Sequence, residues 1–79
     1  MAQAYILIAT KPAKEHDVYE HLDKNSKEFG MFEVYPLFGE YDLIIKVRAD
    51  SPKDITKICE KVEGINGVIV ARTHNLVEK

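Results

Sequence analysis

Ten consecutive residues, FGEYDLIIKV from Phe38 to Val47, join a turn directly to an apolar strand. Glycine and acidic side chains are typical of turns, and the apolar residues that follow alternate over 41–48 as in a strand. Asp42 is unusual at this boundary, because strands disfavour aspartate and a half-buried carboxylate needs hydrogen-bond donors. Those donors are either neighbouring backbone amides or the ammonium group of a ligand. The stretch is therefore either a plain hairpin turn or part of a binding site.

The residues before this stretch predict a strand, a helix and a second strand. Ala4 to Ala9 is a short run of strand-forming residues, and Lys11-Pro12 ends it. Apolar residues at helical spacing predict a helix over about 13–29, which Gly30 closes in a left-handed conformation. Residues 31–38 alternate as a strand that places Phe32 and Val34 on one face. Pro36 lacks an amide proton, so this strand lies at an edge or carries a bulge.

The residues after the stretch predict a second helix and a last strand. Ser51 is a good N-cap, and Pro52 suits the first helical position. An apolar stripe that includes Cys59 continues to Gly64, and residues 68–77 supply the last strand. The predicted order is therefore βαββαβ.

A doubled βαβ unit predicts an α+β, ferredoxin-like fold, in which a four-stranded antiparallel sheet of order 4-1-3-2 carries both helices on one face. The length of 79 residues predicts that the whole chain, 1–79, forms a single domain. Because both helices lie on one face, the other sheet face is left bare and apolar, and the core of so short a chain is small. We therefore expect a second subunit to cover that face in a homodimer.

Composition narrows the function classes. The formal net charge is −2 and no basic face is evident, which argues against direct binding to nucleic acid. The longest apolar run is too short to span a membrane, and no signal peptide is evident, so a soluble, cytoplasmic protein is expected. The single cysteine fits a reducing compartment.

The chemically active side chains do not form a catalytic or metal-binding pattern. His16 and His21 would lie about 140° apart around a helix, which rules them out as a pair of ligands for one metal. Cys59 belongs to an apolar stripe, so we interpret it as a core residue. The four glycines are scattered and form no phosphate-binding loop. We predict no enzyme activity, no metal and no cofactor.

Three segments together resemble the effector-binding domain of the Lrp/AsnC family of feast/famine transcription regulators. They are the opening stretch, Ile65-Asn66-Gly67-Val68, and residues 72–77. The resemblance implies a ferredoxin-like domain that pairs through its open sheet face and assembles into a ring of dimers. It also implies that small effectors, mostly amino acids, bind in clefts between adjacent dimers.

The resemblance also implies which residues bind the effector. Gly39, Tyr41 and Asp42 would supply the turn side of the cleft, and Thr73 and Asn75 on the last strand are further candidates. Two features depart from the family. Phe38 replaces a small polar residue, and the first strand starts too near residue 1 to leave room for a preceding helix-turn-helix segment.

The sequence thus predicts a stand-alone amino-acid-sensing and assembly domain of the Lrp/AsnC type. Such a domain would modulate transcription regulators without binding DNA, and full-length regulators of the same family are candidate partners. The alternative is a small enzyme on a dimeric α+β barrel, which would need a cavity with a histidine or tyrosine beside an acid. The sequence leaves open the identity of the effector and the number of subunits.

Overall fold

A computed structural model of the protein describes residues 2–76. Its elements, in chain order, are β1 (Ala2–Thr10), α1 (Glu15–Lys24), β2 (Met31–Pro36), β3 (Leu43–Ala49), α2 (Pro52–Glu63) and β4 (Val68–Asn75). The four strands form one antiparallel sheet in the order β2-β3-β1-β4. This confirms the predicted ferredoxin-like fold and strand order. No helix among residues 2–76 is long and apolar enough to cross a membrane.

The core lies between the two helices and one face of the sheet. The face that the helices cover, called the helix face here, buries alternate residues of the two central strands, including Ile6, Ile8 and Ile45. Leu22 of α1 and Ile55 of α2 are buried against them. The intervening residues of the same strands lie on the opposite face, called the open face. The period of two in the sequence thus separates the core from this second surface.

The second helix begins as predicted. The Ser51 hydroxyl accepts a hydrogen bond from the Asp54 amide at 3.4 Å, and Pro52 occupies the first helical turn. The buried residues of α2 include Cys59, which confirms its interpretation as a core residue.

The first helix is shorter than predicted, because it ends at Lys24 and not near Phe29. The Asn25 amide donates to the His21 carbonyl at 3.2 Å, and the Asn25 side chain donates to the same oxygen at 2.8 Å. Residues 25–30 form turns that still bury Phe29. Gly30 does close this segment in a left-handed conformation, with φ of +61°. Apolar spacing predicted which side chains are buried but not where the helical hydrogen bonds stop.

The predicted pairing of Phe32 with Val34 on one face is wrong. A bulge between Met31 and Glu33 shifts the β2–β3 register, so Val34 faces Ile45 in the core. Phe32 instead lies against Arg48, whose guanidinium is 3.9 Å from the ring centroid. The bulge therefore moves an aromatic ring onto the open face.

Candidate functional site

The loop between β2 and β3 is fixed at its base and open at its tip. The Leu37 amide donates to the Asp42 carbonyl at 2.8 Å, and the Asp42 amide donates to the Ile8 carbonyl at 2.8 Å. At the tip, Phe38 is 103% exposed. Gly39 has φ of +130°, and a Cβ built there would have nothing within 4 Å. The backbone conformation alone requires glycine, and the main chain at the tip is left accessible.

The Asp42 carboxylate fastens this loop to the end of β1. Its Oδ2 accepts a hydrogen bond from the Thr10 amide at 2.7 Å and another from the Thr10 hydroxyl at 3.2 Å. Thr10 is buried and Asp42 is half-buried, so these bonds are partly shielded from water. The sequence left two kinds of donor open for Asp42, a backbone amide or the ammonium group of a ligand. The structure provides the backbone amide, that of Thr10. Asp42 thus has a structural role whether or not it also contacts a ligand.

Thr10 is the residue of this site that the sequence analysis missed. It lies 32 residues from Asp42 in the chain. A threonine that ends an apolar strand is an ordinary residue, and only the pairing of β1 with β3 brings it to the loop. The sequence did indicate that the Asp42 carboxylate needs hydrogen-bond donors, but it did not indicate that Thr10 supplies them.

A groove of about 570 Å³ lies beside the loop, between the start of α1 and the outer part of the sheet. Pro36 and Leu43, which flank the loop, and Val34 provide apolar lining. Tyr19 and His16 of α1 provide the opposite wall, and His16 Nε2 lies 2.9 Å from the Glu20 carboxylate. An apolar surface with polar groups at its margin is suited to a small molecule that has both an apolar and a polar part.

The structure separates the five predicted effector residues into two groups. Gly39, Tyr41 and Asp42 lie together on the loop, whereas Thr73 pairs with Ile6 and Asn75 pairs with Ala4. At about 3.3 Å per residue, the second group lies roughly 13 to 20 Å along β1 from Thr10. A cleft that uses both groups would need two subunits.

Thr73 lies on the helix face of the sheet, since it pairs with Ile6. Its buried Oγ1 has no hydrogen-bond partner among residues 2–76. Cys59 lies nearby on α2, with its thiol 3.8 Å from the Ala71 carbonyl and 3.7 Å from the Glu63 carboxylate. Burial raises the pKa of the Cys59 thiol above its ordinary value of 9.0. The thiol is therefore mainly protonated near neutral pH.

The open face combines apolar, aromatic and charged side chains. Lys46 lies 5.1 Å from the centroid of the Tyr5 ring and 3.0 Å from Glu33 Oε2. The contact with Lys46 holds the pKa of the Glu33 carboxyl below its ordinary value of 4.5, and the contact with Glu33 raises the pKa of Lys46. Tyr35 is 50% exposed on the same face. This surface is only partly covered within one chain.

The enzyme alternative requires a histidine or tyrosine beside an acid in a cavity. His16 lies beside Glu20 at the groove, but both side chains are more than half exposed. Among residues 2–76, no such pair includes His74. This residue is exposed and pairs with Tyr5 on the open face. The grooves found in the described part of the chain are lined by other residues. Over the same range, no cluster of three or more metal-binding side chains is present.

Comparison with known proteins identifies the class of domain that this fold and loop define. Residues 3–79 match the family model described as the Lrp/AsnC ligand binding domain. The HTH-type transcriptional regulator FL11 of Pyrococcus abyssi is 31% identical over 77 residues, which cover 90% of this chain and 49% of FL11. The chain thus spans about half the length of the curated regulators that it matches.

Solved structures agree with this assignment. The crystal structure of FFRP-DM1 has a TM-score of 0.86 and 35% identity, covering 98% of this chain and all of that chain. A feast or famine regulatory protein from M. tuberculosis, complexed with L-methionine, has a TM-score of 0.74 and 16% identity, covering all of this chain and 52% of that chain. At that identity, the second likeness concerns the fold alone. The chain belongs to the Lrp/AsnC family, as its ligand-binding domain.

Proposed function

We propose that this chain is an amino-acid-sensing and assembly domain that acts on transcription regulators of its own family. The proposal rests mainly on the loop from Leu37 to Asp42. This loop is anchored at its base and exposes Phe38 and the Gly39 main chain at its tip. A fully exposed phenylalanine on a fixed loop is suited to contact with a ligand or another subunit.

An amino acid is the effector that suits this loop best. A free amino acid carries an ammonium group that needs an acceptor and a carboxylate that needs donors. Asp42 supplies a carboxylate whose Oδ2 is occupied by Thr10, which leaves Oδ1 for the ammonium group. The open main chain around Gly39 supplies amide donors for the carboxylate. The L-methionine complex of the M. tuberculosis relative supports this ligand class.

The effector side chain would then extend into the groove beside the loop. Leu43 immediately follows Asp42, and it lines that groove with Val34 and Pro36. A neighbouring subunit would close the groove, since it is open to solvent in one chain. Thr73 and Asn75 would reach such a cleft only from that neighbour.

Self-association uses the open face in this proposal. Tyr5, Leu7 and Ile44 lie on it and are half-buried, although no helix covers them. A copy of the chain would cover this surface and enlarge a core that is small for an independent domain. Dimers then join through the exposed loops around Phe38, which places the effector at the contact between dimers.

The chain acts on regulators by assembly and not by binding DNA itself. Its formal net charge of −2 provides no strong electrostatic attraction for a duplex. A mobility-shift assay at physiological salt should therefore detect no complex between the purified chain and duplex DNA. A shifted band would contradict this part of the proposal. Coexpression with a full-length family regulator, followed by pulldown through the regulator, tests the partner.

Isothermal titration against the twenty standard amino acids tests the sensing function. At least one should bind at millimolar concentration or below, with one site per chain or per pair of chains. A variant with Phe38→Ser, which retains Asp42 and the loop anchors, tests whether the exposed ring takes part in binding. No heat of binding from any amino acid at millimolar concentration would refute amino-acid sensing.

A further inference from the structure

The open face is positively charged, although the chain as a whole is acidic. Strand register places three permanent cations on this face, Lys46 and Arg48 of β3 and Arg72 of β4, together with one carboxylate, Glu33 of β2. Over residues 2–76, these side chains give the face a net charge of +2, whereas the formal net charge of the chain is −2.

The contacts of these charged side chains determine which charges on the face are paired. Lys46 is paired with Glu33, so their charges cancel locally. The Arg48 guanidinium lies 3.9 Å from the centroid of the Phe32 ring and is not within ion-pair distance of an acid in the described part of the chain, although its charge contributes to lowering the pKa of the Glu33 carboxyl. Arg72 is exposed in register with Leu7, and among residues 2–76 neither arginine has a carboxylate partner. The uncompensated charge of the face is thus that of Arg48 and Arg72.

This charge opposes pairing of the face with a copy of itself. Two packed sheets lie about 10 Å apart, so two faces of charge +2 would meet at a distance where repulsion is substantial at low salt. The Debye length is roughly 10 Å at 0.1 M salt and 3 Å at 1 M, so concentrated salt removes most of this repulsion. Apolar contacts favour a homodimer, and charge disfavours it.

We infer that the preferred partner of this face is another chain of the same fold whose open face is acidic. The inference rests on the proposed pairing through the open face and specifies the partner. Charge complementarity determines the choice, because the apolar and aromatic surface is available to either partner. The protein would then be selective for a heteromeric partner while retaining a weaker, salt-assisted homodimer.

The chain itself can provide a probe with an acidic face. The double variant Arg48→Glu with Arg72→Glu changes the charge of the open face from +2 to −2 and leaves the pair of Lys46 with Glu33 in place. Both arginines are exposed, so the fold should survive. The matched control is Lys53→Glu with Lys57→Glu, which makes the same change of charge on exposed positions of α2.

The test is native mass spectrometry of an equal mixture of the wild-type chain and the acidic-face variant, after subunit exchange. At about 25 mM ammonium acetate, the mixed dimer should form roughly nine-tenths of all dimers, and at about 500 mM this share should fall towards the statistical half. Mixtures with the α2 control should remain near one half at both concentrations.

Three results would count against the inference, and they have different meanings. A mixed dimer at or below one half at low salt would overturn the charge preference while leaving face-to-face pairing intact. An equal excess with the α2 control would mean that the net charge, and not the open face, selects the partner. Absence of any dimer at either salt concentration would refute the proposed pairing itself.

Discussion

Replacing Asp42 with asparagine separates the two roles of its carboxylate. In the wild type, the Thr10 amide donates to a charged oxygen of Asp42 at 2.7 Å. The variant keeps an oxygen acceptor for this amide but loses the negative charge. Hydrogen bonds to charged groups contribute about 1.5 to 3 kcal/mol and neutral ones about 0.5 to 1.5, so the fold should lose about 1 kcal/mol. In a domain of this size, that loss lowers the melting temperature by about 4 to 8 °C.

The same substitution should weaken effector binding by more than it weakens the fold. Loss of the ionic contact to a ligand ammonium costs about 1.5 to 3 kcal/mol, which corresponds to roughly 10- to 150-fold in the dissociation constant. Isothermal titration with the best-binding amino acid measures the affinity, and thermal denaturation without ligand measures the stability. Both should be done on the same preparation.

Thr10→Val is the matched control for this prediction. It removes the hydroxyl bond of 3.2 Å to Asp42 but retains the backbone amide and the charge of the carboxylate. The melting temperature should fall while effector affinity stays within about twofold of the wild type. If Asp42→Asn also lowers only the melting temperature, the carboxylate is a loop brace alone and the proposed contact with an ammonium group is wrong.

Three further predictions concern the loop, the open face and the core. Gly39→Ala should lower stability by about 1 kcal/mol through backbone strain alone, whereas Gly30→Ala should cost more because its Cβ would collide with a backbone carbonyl, and thermal denaturation compares the two. Because the pKa of Glu33 is lowered in the folded state, its pair with Lys46 stabilises the fold above pH 4.5, and this contribution is lost as the pH falls through the pKa of the folded state. Glu33→Gln should therefore be less stable than the wild type at pH 7. In acid, the two proteins should have similar stability. Cys59 should react with a thiol reagent slowly in the native protein and rapidly in denaturant, since it is buried and its pKa is raised, and equal rates would contradict its place in the core.

Local patterns predicted the elements and their order because each depends on nearby residues. The Ser51 cap lies next to the helix that it starts, and period-two alternation directly reports which strand residues face the core. The end of α1 was mispredicted because Phe29 continues the apolar spacing, whereas the regular helical hydrogen bonds end at Asn25. The next amide, that of Ser26, donates to Asp23, only three residues back.

The site could be predicted only in part, because its geometry depends on contacts that are distant in sequence. The resemblance located the loop of Gly39 and Asp42, and the structure adds the brace to Thr10 from the far end of β1. Likewise, regular alternation could not reveal the bulge that moves Phe32 beside Arg48. Positive charge on the open face was hidden in an acidic composition until the strand register was known.

Light scattering coupled to size exclusion, with and without the twenty amino acids, tests the central claim most directly because it reports assembly and effector response together. We predict a mass that is a multiple of 9.0 kDa and at least that of a dimer. With at least one amino acid, that mass or its concentration dependence should change. A species of 9.0 kDa at micromolar concentration that no amino acid alters would contradict it.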